Sequence, residues 1–182
     1  WTISPRVSVS YGAKYAHYDY VEQSALLSPG ASVTLAPFDN DTFRVRAAVS
    51  RRATAPGAAE FVPPSTGPWL PPERTFSPIA PDQDFTAERV DHFELAAERE
   101  WGQVVAGVRA FRQTVDDQIV TLFGDELLSA PAGRAGHYFV ASAGDIDATG
   151  WSLSARRTTE SGTRASIEYT NVEARWSRRT PD

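Results

Sequence analysis

His92 and Glu94 are the two residues whose spacing most directly suggests coordination chemistry. Residues separated by one position share a face of a β-strand, so both side chains could reach the same ion. Imidazole and carboxylate groups bind zinc, but a structural zinc site takes four such ligands. Because only two are visible here, we expect ordinary polar side chains and predict no metal site.

Two acidic pairs, Asp116-Asp117 and Asp145-x-Asp147, are the other candidates for binding a cation. Carboxylates in loops bind calcium, but these pairs lack the spacing and the glycine of an EF-hand, so we predict solvated turns. No Gly-x-Ser-x-Gly elbow surrounds a serine, and no glycine-rich loop leads from a strand into a helix. The sequence therefore predicts no catalytic residue and no cofactor.

Three arginines, Arg44, Arg46 and Arg52, fall on one face of a predicted strand. A row of positive charge could attract an anionic ligand into a polar channel. The alternative is that the arginines line a wall and interlock with Glu94 and Glu98 of the next predicted strand, and we favour this interpretation.

A long insert, residues 53–86, holds eight of the thirteen prolines and also carries Trp69. A loop of this length without periodicity is usually functional or disordered, and we expect a ligand-side loop rather than a spacer. The candidate ligand-binding residues, in a lumen or an outer loop, are Arg44, Arg46, Arg52, Trp69, His92 and Glu94.

Alternation of apolar and polar residues dominates the rest of the chain and predicts an all-β protein. It is clearest in residues 42–52, where Phe43 and Val45 share one face and Arg44 and Arg46 the other. Residues 88–100 are compatible with a helix by composition, but we expect a strand, and residues 103–123 alternate too poorly to assign faces. The predicted strands are 6–20, 30–36, 42–52, 88–100, 103–123, 137–158 and 163–176.

The connections between these strands alternate between tight turns and longer loops. This arrangement, with strands that are apolar on one side only, is typical of an up-and-down β-barrel that crosses an outer membrane. We predict one incomplete barrel domain over residues 1–182, an antiparallel meander of about seven strands. The residues predicted to face lipid are Val7, Val9, Phe43, Val45, Phe93, Leu95, Leu153 and Ile167.

Composition excludes several other classes of protein. The formal net charge is −5, which argues against a nucleic-acid binder, and the absence of cysteine removes disulfides, thiolate metal sites and a cysteine nucleophile. No apolar run is long enough for a transmembrane helix, whereas barrel strands of about 9–11 residues escape such a search. The chain begins at Trp1 inside a β-like pattern, so we expect an internal portion of a longer polypeptide.

Three stretches resemble the barrel of TonB-dependent outer-membrane receptors. Residues 42–61 are similar to the family's strand that ends in arginine and leads into Ala-Pro, and residues 88–123 to its acidic-aromatic strand, turn and following strand. Residues 137–169 resemble the next pair, with Gly144-Asp145 and Gly150-Trp151 near the expected glycines. Ala96-Ala97 and Trp151-Ser152-Leu153 depart from the family's usual residues.

The resemblance implies an active-transport receptor in the outer membrane of a Gram-negative bacterium. The implied partners are membrane lipid, the rest of the barrel with its plug domain, an inner-membrane energy coupler that acts through that plug, and a scarce ligand. Siderophores, haem, cobalamin, oligosaccharides and nickel complexes remain open. Neither the plug nor its coupler-binding box is found in this sequence.

A soluble all-β module that binds a carbohydrate or a small apolar ligand is the alternative. Such a module would bury the apolar rows, whereas a membrane wall would expose them. An outer-membrane hydrolase would need a Ser-His pair near one rim, and nothing in the sequence locates one.

Overall fold

The computed structural model describes residues 2–4, 6–38, 42–57, 75–78, 85–123, 137–160 and 162–177. These residues form β-strands and connections, and no helix among them is long and apolar enough to span a membrane. The strands are β1 (Thr2–Ser4), β2 (Val7–His17), β3 (Ala25–Leu35), β4 (Phe43–Thr54), β5 (Thr75–Pro78), β6 (Glu88–Trp101), β7 (Val104–Asp116), β8 (Ile119–Phe123), β9 (His137–Ser142), β10 (Asp145–Thr158) and β11 (Arg164–Ser177).

Most of these strands form one antiparallel meander in the order β1-β2-β3-β4-β6-β7-β10-β11. The seven long strands are the predicted ones, and β1 adds a three-residue edge. Within the described residues the sheet does not close on itself. The predicted fold class, an all-β meander and an incomplete barrel, is therefore confirmed, and residues 88–100 form a strand rather than a helix.

β3 begins at Ala25, five residues before the predicted start. The pair Pro29-Gly30 is typical of a turn, yet it lies inside this strand. Pro29 is opposite Ala13 of β2, whereas the pairing of β3 with β4 begins only at Gly30. Pro29 therefore lies just outside the ladder between β3 and β4, so its missing N–H removes no bond to β4.

Residues 103–123 and 137–158 each form two strands rather than one. Asp117, with a φ of 53°, separates β7 from β8, and Gly144, with a φ of 117°, lies just before β10. Beyond these breaks β8 and β9 leave the main sheet and pair with each other, and β5 joins β9 in parallel. The strands thus continue past the main sheet into a second, smaller sheet of order β5-β9-β8.

The buried apolar residues are few and small. One cluster, Val21, Leu26, Ala55 and Ala87, lies where the connection 18–24 meets both ends of the long insert. The Tyr20 hydroxyl donates to the Pro56 carbonyl at 2.9 Å. No large side chain among the described residues is fully buried, so the main sheet has no apolar second layer packed on it.

Candidate functional site

Strand register sorts the side chains of the main sheet onto two chemically different faces. Opposed residues in a ladder share a face, so a chain of pairs can be followed from strand to strand. One row crosses the long strands through Val7, Leu35, Val45, Ala97, Val108, Leu153 and Tyr169. The next row runs through Val9, Val33, Ala47, Leu95, Ala110, Trp151 and Asn171. We call the side that carries these rows the apolar face.

All eight residues predicted to face lipid lie on the apolar face. Several are strongly exposed: Ile167 by 72%, Phe93 by 53% and Leu153 by 49%. Phe43 and Val45 are half-buried by their neighbours. Large apolar side chains exposed together over a continuous surface mark a site of interaction with something apolar.

The apolar face ends in charged or aromatic residues in both directions along the strands. Toward the long connections, Arg51 on β4 donates from Nε and Nη2 to the two carboxylate oxygens of Asp91 on β6, each at 2.7 Å. Arg112 on β7 makes the same side-on contact with Asp147 on β10. Toward the short turns, the Arg99 guanidinium lies 5.1 Å from the ring centroid of Trp101.

The opposite side, which we call the polar face, is organised around Arg109 of β7. Its Nη2 lies 3.2 Å from a Glu168 carboxylate oxygen, and its Nη1 lies 3.7 Å from one of Glu94. Its Nε donates to the hydroxyl oxygen of Ser152 at 3.2 Å. Ser152 is the one buried polar residue among the described residues. One guanidinium thus links three neighbouring strands to its own.

Phe111, two residues further along β7, lies beside this network. Its ring stacks on His92 with centroids 6.2 Å apart, and Arg109 lies 5.6 Å above it. The ring passes over Gly150 on β10, where a Cβ would meet Phe111 Cζ at 2.6 Å and the Asn171 carbonyl oxygen at 2.7 Å. Glycine at this position therefore makes room for the aromatic ring.

His92 and Glu94 do come together on the polar face, with Nε2 and a carboxylate oxygen 3.7 Å apart. Among the described residues no group of three or more histidine or acidic side chains could hold a metal ion. Asp117 and Asp145 instead stabilise the break between strands, since the Asp117 N–H donates to an Asp145 carboxylate oxygen at 3.1 Å.

Arg44, Arg46 and Arg52 also lie on the polar face, all on β4. Interlocking with the acidic residues of β6 is not found in the described structure. Although Arg44 is opposite Glu98, that carboxylate lies 3.4 Å from Arg156, and Glu94 is engaged by Arg109. The three arginines form no ion pair with other described residues. Trp69, the remaining candidate, lies outside the described residues.

Four residues of this network, Arg109, Ser152, Phe111 and Glu168, were not among the residues predicted from the sequence to form a site. The middle of β7 does carry a signal, because Val108 and Ala110 fall on one face and Arg109 and Phe111 on the other. The predicted strand 103–123 obscures this signal, because it continues across the break at Asp117.

An open antiparallel meander with an exposed apolar face and a charged polar face defines the wall of a β-barrel whose outside is apolar. The family model described as "TonB dependent receptor-like, beta-barrel" matches residues 1–181. The chain belongs to this family, which confirms the resemblance seen in the sequence.

Three solved structures illustrate the shared fold. Two variants of the FrpB iron transporter from Neisseria meningitidis match 94% and 96% of this chain, with TM-scores of 0.56 and 0.60 and identities of 16% and 18%. A mutant of the ferric enterobactin receptor PfeA from Pseudomonas aeruginosa matches 93% of it, with a TM-score of 0.59 and 18% identity. The chain spans only 24% to 25% of the length of these structures. No curated protein matches the chain.

Proposed function

We propose that this chain forms part of the barrel wall of an active-transport receptor in the outer membrane of a Gram-negative bacterium. The observation that carries the proposal is the pairing register, which gathers apolar side chains from all seven long strands onto one exposed surface. Hydrocarbon tails contact the apolar face, and the polar face lines the water-filled interior. Continuous antiparallel pairing lets neighbouring strands satisfy each other's backbone groups within the sheet, as a bilayer requires.

The dimensions of the apolar face support this arrangement. From Asp91 to Arg99, the charged residues that bound this face on β6, the strand rises roughly 27 Å at about 3.4 Å per residue. A tilt of about 40° reduces this height to roughly 21 Å, close to the apolar band of about 25 Å in outer-membrane barrels. Trp101 and Phe43 at one end and Tyr15 at the other supply interfacial aromatics.

The polar face supports a route for an anionic ligand. Arg44, Arg46 and Arg52 keep positive charge that no described carboxylate neutralises, and His92 and Glu94 lie on the same surface. A cationic lining raises the local concentration of an anion. Among the ligands open to this family we propose a ferric chelate, because two of the structural neighbours are named an iron transporter and a ferric enterobactin receptor.

Energy for import would come from an inner-membrane coupling protein that acts through a plug domain, as membership of the family implies. The soluble binding module predicted as the alternative is not favoured by any observation. It would bury Phe93, Leu95 and Ile167, which are 53%, 48% and 72% exposed.

Spin labels at adjacent positions on the same strand test the proposal. This chain has no cysteine, so single cysteines are introduced as matched pairs into the intact receptor, reconstituted in phospholipid vesicles. The pairs are Val9→Cys with Ser10→Cys, Leu153→Cys with Ser154→Cys, and Ile167→Cys with Ser166→Cys. The first label of each pair should collide mainly with oxygen dissolved in the bilayer, and the second mainly with a water-soluble nickel chelate.

The two labels of a pair lie on the same strand at nearly the same depth. They differ in the face to which they point, because neighbouring residues of a strand point to opposite faces. If both reagents reach both members of every pair equally, the proposed contact with the membrane is wrong. Uptake of a radioactive ferric chelate by cells that carry the receptor tests the transport step separately, and no uptake of any ferric chelate would exclude the proposed ligand class.

A further inference from the structure

A groove of about 500 Å³ runs across the apolar face close to its charged boundary near the long connections. It crosses β3, β4, β6 and β7. The residues that line its floor include Pro29, Ala31, Val49 and Phe93, and Arg51 and Arg112 lie at its rim.

The floor of the groove is apolar, and its depth results from the different sizes of the side chains that form it. Ala31 and Val49 are opposite each other on β3 and β4, and Val49 is opposite Phe93 on β6. Small side chains next to an exposed phenylalanine leave a depression in an otherwise even surface. An alkyl chain laid in this depression would contact Pro29, Ala31 and Val49 on one side and the phenyl ring on the other.

The rim of the groove carries two guanidiniums in a fixed orientation. Arg51 and Arg112 each use Nε and Nη2 for one carboxylate, which leaves both N–H groups of each Nη1 free of that contact. The side chains of both arginines are more than half exposed, at 54% and 62%. Planar guanidiniums held by a carboxylate are well suited to donate further hydrogen bonds to phosphate oxygens.

From this juxtaposition we infer that the groove binds a phosphate-bearing acyl lipid of the outer leaflet, with the phosphate on Arg51 and Arg112 and an acyl chain along Ala31, Val49 and Phe93. The inference rests on the proposed function, since it requires the apolar face to meet lipid. The groove and the rim together match a ligand that is both alkyl and anionic. A soluble anion would leave the apolar floor uncovered, and a neutral lipid would leave the guanidinium donors unused.

Native mass spectrometry of the intact receptor in a mild detergent measures this binding. The probes are diphosphoryl lipid A, the same lipid with both phosphates removed, and inorganic phosphate. The phosphorylated lipid should bind at least about tenfold more tightly than its dephosphorylated form, because each lost charge-assisted hydrogen bond weakens binding by roughly that factor. Inorganic phosphate at equal concentration should not displace it.

Four variants locate the site. The double substitution Arg51→Gln with Arg112→Gln should abolish the preference for the phosphorylated lipid. Ala31→Phe should weaken the binding of both lipids, because the larger side chain fills the groove. Arg156→Gln, which removes an exposed, paired arginine from the polar face, is the matched control and should leave binding unchanged. Asp91→Asn frees Arg51 and should preserve or strengthen binding of the phosphorylated lipid.

Equal affinity for the two lipids, or a preference that survives loss of both arginines, would overturn the inference. Loss of the preference in Asp91→Asn would also overturn it, because removal of the competing carboxylate leaves Arg51 with more donors and more net positive charge for the phosphate. These outcomes are distinct from failure of the proposed function, because spin labels on the apolar face would still report contact with lipid.

Discussion

At the scale of single residues, the polar face holds two kinds of arginine. Arg109 contacts Glu94, Glu168 and Ser152, so its charge is used inside the sheet. Arg44 and Arg46 carry no such partner among the described residues, although they lie two strands away on the same face. Under the proposed function we therefore expect β4 to attract an anionic ligand, whereas the arginine of β7 links strands within the sheet.

The contact between Phe111 and Gly150 gives a prediction about stability at this scale. Gly150→Ala should lower the unfolding free energy of the receptor in detergent by about 1–3 kcal/mol, because the new methyl group overpacks the site. Phe111 can turn aside, but the Asn171 carbonyl oxygen at 2.7 Å is backbone and cannot move without disturbing β11. Denaturant titration followed by tryptophan fluorescence measures the change.

Gly12→Ala is the control for this substitution. Gly12 lies in β2 on the same face, and a Cβ there would meet nothing within 4 Å, so the change should stay within about 0.5 kcal/mol. Equal effects of the two substitutions would mean that the glycine matters only through the backbone and not through the aromatic ring above it.

Sequence patterns could predict which residues share a face wherever one strand alternates from end to end. Phe93 and Leu95 were assigned this way, and the pairing register places them together with Leu153 and Ile167. The partners of individual charges could not be predicted. Glu98 is opposite Arg44, but it contacts Arg156 two strands away because long side chains reach diagonally across a sheet.

At the scale of elements, the breaks at Asp117 and Gly144 decide where the main sheet ends. A positive φ at aspartate leaves no clear mark in a sequence, since asparagine and aspartate reach this conformation only when local contacts favour it. The second sheet was therefore not predicted, although β8 and β9 lie within predicted strands, and β5 lies within the long insert that was predicted as a loop. Pairing of β5 with β9 joins part of the long insert to the end of a distant strand.

The buried cluster at the base of the long insert gives a prediction about how the insert is held. Leu26→Ala should loosen both ends of the insert, because Leu26 is only 3% exposed and packs with Val21, Ala55 and Ala87. A large-to-small change in a buried cluster costs about 2–5 kcal/mol. Protease cleavage within residues 58–84 of the intact receptor should accelerate at least tenfold relative to the unchanged protein.

Leu27→Ala is the matched control, one residue further along β3. Leu27 is 56% exposed and lies on the apolar face, so its truncation should leave the rate of cleavage unchanged. If both substitutions accelerate cleavage equally, the cluster does not anchor the insert.

At the scale of the whole molecule, the chain exposes far more surface than a compact protein of its size. Its accessible area is 13244 Å², whereas a folded monomer of 19.9 kDa is expected to expose about 8,700 Å². The main sheet contributes to this excess, because its two faces and its two edges lack a covering layer in the described structure. The fold class could be predicted from the alternation of apolar and polar residues and from the order of short and long connections. The lack of a core becomes visible only in the pairing register, which places the apolar side chains of the long strands on one exposed face.

The excess surface predicts how these 182 residues behave when produced by themselves. In water the chain should not form a cooperative monomer, because the apolar face and the unpaired edges of β1 and β11 favour aggregation. In detergent micelles the apolar face is covered, so β-sheet circular dichroism and protection of backbone amides should increase. Sedimentation and denaturant titration, each with and without detergent, measure both effects. A monomer that unfolds cooperatively without detergent would show that the apolar rows are covered by protein, and the bilayer contact proposed for them would then be wrong.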